Sequence, residues 1–325
     1  MRTRWLGDRD GRVEVSEFCL GTIPFGTETD ETTAFALLDR FFEAGGTFID
    51  TANSYGQWAD GGLGGESEVV IGRWIRSRGV RDQVVVATKA GAHATKAPGD
   101  PAMENWEGLS GKAVRRAVQG SLERLGVDRI DLYYAHWDDR EPDLADTVGE
   151  FGALVKEGVV GAIGCSNTPV WRIERARELA RTAGVPAYSC VQQLHTYLWP
   201  RPERTGFDVV TPELIDYAKS EPEFTLLGYK PLLRGAYTRS DRPFERGYDH
   251  PTSAVRLEVL NQVAAETGAT ANQVVLAWMM QSDPAVIPVS AAGTVAQLDE
   301  QLAAVDLHLD EQTMHRLNTA GTDES

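Results

Sequence analysis

The sequence predicts an α/β chain folded as a single (β/α)8 TIM barrel, one domain over residues 1–325, with an N-terminal β-hairpin and an extra C-terminal helix. Three observations lead there. Eight short runs rich in β-branched and aromatic residues recur along the chain, and stretches with apolar residues at three- and four-residue spacing separate them. The alternation holds to the end of the chain, which calls for parallel strands joined by crossover helices. Eight such units in 325 residues favour a closed barrel over a doubly wound open sheet.

The elements follow in order. "RWLGDRDGRVEV" reads as a small hairpin turning at "DRDG", placed to cap the end of the barrel away from the site. The strand runs are "EFCLGT" (17–22), "TFIDT" (47–51), "VVVATKA" (84–90), "IDLYYAH" (130–136), "GAIGCSN" (161–167), "SCVQQL" (189–194), "FTLLGYK" (224–230) and "AVIPVS" (285–290). Helical spacing is found at 31–44, 65–77, 112–125, 144–157, 170–183, 212–220, 254–268 and 294–305, and the tail "DEQTMHRLNTAG" adds one helix beyond the eight units. Gly/Pro-rich patches at 59–66, 93–108 and 199–206 each follow a strand and precede a helix, so they read as loops of one barrel. The longest loop is 231–253, and long βα loops of a barrel shape its substrate side.

Composition narrows the function classes. With 42% hydrophobic and 25% charged residues the chain has an ordinary globular composition. A net charge of -16 and the absence of any Lys/Arg-rich run argue against nucleic acid as a partner. No uninterrupted apolar window is long enough to span a bilayer and the N-terminus has no apolar core of a leader, so a cytoplasmic location without membrane contact is expected. Cys19, Cys165 and Cys190 are odd in number and lie in apolar runs, which reads as reduced core residues. Neither C-x-x-C nor H-E-x-x-H is present, so no metal is expected.

In a parallel barrel the active site lies at the C-terminal ends of the strands, and polar residues that break an apolar run there carry the chemistry. Asp50 ends the second run, Tyr55 follows in its loop, Lys89 ends the third and His136 the fourth. Side chains alternate along a strand, so Phe48 with Asp50, Ala87 with Lys89, and Tyr134 with His136 share faces. Each residue alone has a structural reading, as a turn acceptor, a strand-end cation, a core histidine or a loop aromatic. Together on one mouth they make a general-acid device suited to carbonyl reduction. A phenol of pKa about 10 is a poor proton donor at neutral pH, and an adjacent ammonium lowers that value. Lys89 would do so, Asp50 would hold Lys89, and His136 would orient the substrate oxygen. No side chain supplies a hydride, which implies a nicotinamide cofactor.

These residues resemble the aldo-keto reductase family, and the resemblance runs from "LGT" (20–22) to "TVAQLDEQL" (294–302). "DTANSYG" is similar to the family's D-T-A-x-x-Y-G block, "ATKAG" to its strand-three lysine and "YYAHWDD" to its strand-four histidine. The resemblance implies a (β/α)8 barrel that binds NAD(P)H without a Rossmann domain, with Tyr55 as proton donor, Lys89 and Asp50 as its activating pair and His136 orienting the carbonyl. It also implies that Ser166, Asn167 and Gln192 hold the nicotinamide carboxamide and that Tyr229 stacks on the ring. Pro231, Leu232, Arg234 and Gly235 would follow the pyrophosphate. Gly21, Thr22, Asp50 and Gln297 complete the implied cofactor contacts.

The chain departs from the family pattern at several positions. Lys230 replaces a serine after strand seven, and "QWADGGL" is inserted beside Tyr55. Thr294 stands where many members carry an arginine for the 2′-phosphate of NADPH and is expected to offer that phosphate a single hydroxyl hydrogen bond, and Gln301 stands as a cofactor contact where they carry an adenine-side asparagine. NADPH with measurable NADH use is therefore expected, with Lys230 or Arg239 reaching the phosphate from the strand-seven loop. Phe25, Trp58, Trp137, Tyr197 and Trp199 are expected to rim the pocket, which suits an apolar or aromatic carbonyl compound or a keto-sugar. The alternative carried by the same resemblance is a non-enzymatic subunit, like channel β-subunits, that senses cofactor occupancy.

Overall fold

The computed structural model describes residues 1–6, 12–95, 105–204, 206, 208–245 and 247–322. Its eight parallel strands are β3 Cys19–Gly21, β4 Phe48–Asp50, β5 Val85–Ala90, β6 Ile130–Ala135, β7 Val160–Ser166, β8 Cys190–Leu194, β9 Thr225–Tyr229 and β10 Val286–Ser290. They pair in chain order, and β10 closes on β3 with Val289 opposite Cys19, so the sheet is a closed barrel. All eight apolar runs are strands. Ahead of them β1 Thr3–Leu6 pairs antiparallel with β2 Val13–Ser16. The expected turn at 8–11 lies outside the described residues.

Strand parity divides the core. Cys19, Phe48, Ala87, Leu132, Tyr134, Ala162, Cys190, Leu227 and Ile287 point inward, and Leu6 and Val15 of the hairpin join them as the plug of the barrel's N-terminal end. The alternate residues, including Leu20, Ile49, Val86, Tyr133, Ile163, Val191 and Leu226, face the helices. Burying each such large apolar side chain contributes roughly 1.5–3 kcal/mol. Gly164 lets the layers close, because a Cβ there would sit 2.6 Å from Cys190 Sγ and 2.9 Å from the Tyr134 ring. The three cysteines are buried and free.

The helices are α1 Glu31–Glu43, α2 Glu66–Arg78, α3 Gly111–Leu125, α4 Leu144–Lys156, α5 Val170–Ala183, α6 Pro212–Ser220, α7 Pro251–Thr267, α8 Ala271–Gln281, α9 Val295–Leu302 and α10 Glu311–Thr319. Side-chain caps start many of them, as where Asp30 accepts from Thr33 N–H and Thr270 forms a reciprocal capping box with Gln273. Each such cap contributes about 1 kcal/mol. The sequence reading has no counterpart for α8. Nearly every residue of α8 is buried, so it has no polar face and hence no helical period for pattern analysis to detect. No helix among the described residues is long and apolar enough to cross a membrane, and no cluster of three or more His, Cys, Asp or Glu among them could hold a metal.

Candidate active site

The ends of β4, β5 and β6 bring Asp50, Lys89 and His136 to one mouth, and the loop after β4 carries Tyr55 over them. Lys89 is fully buried, and its ammonium donates to Asp50 Oδ2 at 2.5 Å, Thr51 O at 2.8 Å and Tyr55 Oη at 2.9 Å. An ammonium has three N–H donors, and all three are used. The remaining Asp50 oxygen accepts from Gln192 Nε2 at 2.8 Å, so the buried carboxylate is paired on both sides. Two hydrogen bonds from Thr22, through its N–H and its hydroxyl, fix the Asp50 carbonyl.

This environment sets the protonation states. Burial works against the Lys89 ammonium, but Asp50 and Tyr55 outweigh it and the net shift is upward. Burial pushes the Tyr55 phenol above its ordinary value, and Lys89 pulls it back only in part. The acidifying effect of Lys89 expected from the sequence is present, yet desolvation exceeds it. Burial, and then the charge on Lys89, holds His136 well below its ordinary value, so its ring is neutral. Its Nδ1 is buried without a partner. His136 packs edge-on against Tyr55, with ring centroids 6.1 Å apart.

The mouth opens into a cavity of about 690 Å³, within the range of ligand pockets, roughly 300–1,000 Å³. Asp50, Tyr55 and His136 line it while Lys89 sits behind them. Gly21, Thr22, Ser166, Asn167 and Gln192 line the barrel side. Tyr229, Lys230, Pro231, Leu232, Arg234 and Gly235 form the wall after β9, and Gln297 and Gln301 of α9 lie at the far end. Tyr229 donates to Asn167 Oδ1 at 2.9 Å, and Asn167 Nδ2 donates to Ser166 Oγ at 3.1 Å. Non-glycine residues with positive φ gather here, at Asn167, Lys230, Leu233 and Arg234, and strain of this kind clusters at ligand sites.

Four expected contacts fall elsewhere. Thr294 does not line the cavity; it caps α9, its hydroxyl accepting from Gln297 N–H. Phe25 is fully buried in the core between barrel and helices. Tyr197 and Trp199 pack against Arg256 of α7, whose guanidinium carbon lies 4.1 and 4.3 Å from their ring centroids. Arg256 is itself buried and donates to the carbonyls of Tyr197 and Ala320. Neither ring lines the cavity. Trp58 and Trp137 do line the cavity, and they are joined by Ile23.

Asn272 and Glu300, which no sequence pattern marks, also line the cavity. Asn272 belongs to α8, which has no helical period, and Glu300 lies inside "TVAQLDEQL" with no signal of its own. The donors and acceptors present fit a nicotinamide dinucleotide. Asn272 Oδ1 and Gln301 Oε1 are buried acceptors without partners, suited to an amino group, and Lys230, Arg234 and Arg239 supply cations along the connecting wall. Such a cofactor, when bound, supplies the hydride that no side chain can.

Comparison with known proteins agrees with this geometry. The model of the Aldo/keto reductase family matches residues 17–321. The chain is 33% identical to the uncharacterized oxidoreductase YrpG of Bacillus subtilis, over 98% of this chain and 95% of that one. It is 31% identical to the norsolorinic acid reductase stcV of Emericella nidulans, over 94% of this chain and 78% of the relative. An aryl-alcohol dehydrogenase [NADP(+)] of Phanerodontia chrysosporium is 30% identical over 91% of this chain and 78% of its own. Matches that run nearly the full length of the chain, to the family and to oxidoreductases alike, lead to one conclusion: this chain belongs to the aldo/keto reductase family and is a nicotinamide-dependent enzyme acting on small carbonyl compounds.

Proposed function

We propose that the enzyme reduces a planar aromatic aldehyde or ketone to the alcohol, with Tyr55 as the proton donor, and takes hydride from NADPH in modest preference to NADH. One observation carries the role of Tyr55. Its oxygen accepts one of the three Lys89 hydrogens, so its own O–H is directed away from Lys89, toward the cavity. Neutral His136, with its proton on Nε2, donates to the carbonyl oxygen and holds it in line with that O–H. As negative charge grows on the oxygen, both hydrogen bonds strengthen, and the Tyr55 proton transfers to it. Lys89 stabilises the phenolate left behind, and Asp50 keeps Lys89 charged and in place.

The aromatic preference is supported by the apolar wall of Ile23, Trp58 and Trp137 beside Tyr55, and by relatives whose names specify aryl-alcohol and norsolorinic acid. Flat rings gain most from such a wall, which favours them over a keto-sugar. Oxidation of NADPH should be followed with benzaldehydes, aryl ketones and ketohexoses. Turnover of ketohexoses at higher kcat/KM than any aryl carbonyl would overturn the substrate class.

Glu300 supports the weak cofactor selectivity. Its carboxylate, held by Thr270 Oγ1 at 2.7 Å, faces the far end of the cavity, while Thr294, committed to capping α9, offers the 2′-phosphate no cation. A charge-assisted contact contributes about 1.5–3 kcal/mol, and a carboxylate opposes an added phosphate. Wild-type selectivity for NADPH below about a thousandfold is therefore expected, since a larger ratio needs more than ~4 kcal/mol. Glu300→Gln should raise NADPH affinity roughly tenfold, about 1.4 kcal/mol, with NADH affinity little changed. Fluorescence titration of both cofactors checks this, and equal shifts for the two would remove Glu300 from the phosphate's surroundings.

A further inference from the structure

The loop after β5 is closed at its base by an antiparallel bridge. Ala94 pairs with Trp106, Glu107 N–H donates to His93 O at 2.9 Å, and Thr95 N–H donates to Asn105 O at 2.7 Å. The bridge sets two adjacent residues, neither of which lines the cavity, against two different parts of the site. The Trp106 indole stacks on that of Trp137, with centroids 5.3 Å apart and planes 21° from parallel. Glu107 Oε1 accepts from Asn53 Nδ2 and from Gly91 N–H, each at 2.7 Å.

Both Glu107 partners adjoin the catalytic pair. Asn53 lies two residues before Tyr55, and its N–H donates to the Lys89 carbonyl at 3.3 Å. Gly91 lies two residues after Lys89. A single carboxylate oxygen therefore ties the loop that carries Tyr55 to the strand end that carries Lys89. Without that acceptor, the Asn53 amide and the Gly91 N–H must find other partners, and the 2.9 Å approach of Lys89 to Tyr55 loses its outer brace. The stack works on the other side of the mouth. A tryptophan at a rim has free rotamers, and a second indole behind it fixes its plane.

We propose that Glu107 and Trp106 are positioning residues: Glu107 holds Tyr55 to Lys89, and Trp106 holds Trp137 as the flat wall on which a ring-bearing substrate lies. The first half rests on the role of Tyr55 and the second on the aryl reading given above. A misplacement of about 1 Å at reacting groups can cost up to about a hundredfold in rate, which sets the scale for Glu107.

The test is steady-state kinetics of Glu107→Ala, Glu107→Gln, Trp106→Ala and Trp106→Phe on propanal, benzaldehyde and 2-naphthaldehyde, with cofactor affinity and thermal unfolding followed alongside. Glu107→Ala should lower kcat about ten- to a hundredfold with KM and cofactor affinity within about twofold. Glu107→Gln, which keeps an acceptor oxygen, should restore kcat. Equal losses in both variants, or an unchanged kcat in folded Glu107→Ala, would overturn this half. Trp106→Ala should raise KM for 2-naphthaldehyde about tenfold relative to propanal with kcat little changed, and Trp106→Phe should recover most of it. An unchanged KM ratio across the three aldehydes, in a wild type that prefers rings, overturns the Trp106 half alone. A wild type indifferent to ring number overturns the aryl reading and the Trp106 half with it. Glu107 is then judged on whichever aldehyde is turned over.

Discussion

Replacing Tyr55 by phenylalanine is expected to lower carbonyl reduction by about 10²- to 10⁴-fold while cofactor affinity stays nearly unchanged. The size follows from the contribution of a positioned general acid. The selectivity follows from geometry: the hydroxyl contacts Lys89 and the cavity, and the ring stays packed edge-on against His136. Phenylalanine keeps the ring and removes only the oxygen, so the Lys89 ammonium loses one of its three acceptors but keeps Asp50 and Thr51. Single-turnover reduction measured beside cofactor titration separates the two effects. A loss below tenfold with chemistry rate-limiting would mean that the proton comes from another group, with His136 or cavity water next to be tested.

The tetrad could be read from the sequence because strand parity is a strict rule. Once Phe48 and Ala87 are assigned to the inward face, Asp50 and Lys89 must share it, and the parallel register brings the strand ends level. Tyr55 lies in a loop where no parity applies; its place directly after the strand end that carries Asp50 marks it, and its likeness to a known motif marks it again. Other misplacements have specific causes. α8 is buried on nearly all sides, so its sequence has no period, and Asn272 within it carries no mark of its own. Tyr197 and Trp199 look like rim aromatics until Arg256, a charged residue in an otherwise ordinary helix, proves to be buried between them. The family position of Thr294 points to the cofactor, but "TVAQ" also carries the Thr-x-x-Gln signature of a helix start, and in the structure Thr294 caps α9.

Replacing Lys89 by methionine should give a loss of comparable size and, in addition, move the alkaline limb of the pH profile upward. With Tyr55 as the proposed proton donor, reduction needs the protonated phenol, so activity is expected to fall as pH rises through the Tyr55 pKa. Burial raises that pKa, the positive charge on Lys89 lowers it in part, and Asp50 raises it again. Removing Lys89 takes away the main lowering influence and leaves the Asp50 carboxylate, so the limb must shift to higher pH. The rate falls because the phenolate formed on proton transfer no longer has a cation beside it. The substitution also strands a buried carboxylate, at a cost of about 3–5 kcal/mol, so thermal unfolding must be measured and the rate referred to folded protein. Lys89→Met combined with Asp50→Asn removes both charges, which relieves the stability loss and leaves the rate low. A limb that stays in place or moves to lower pH in the single variant would show that Lys89 holds the fold of the mouth without tuning the phenol.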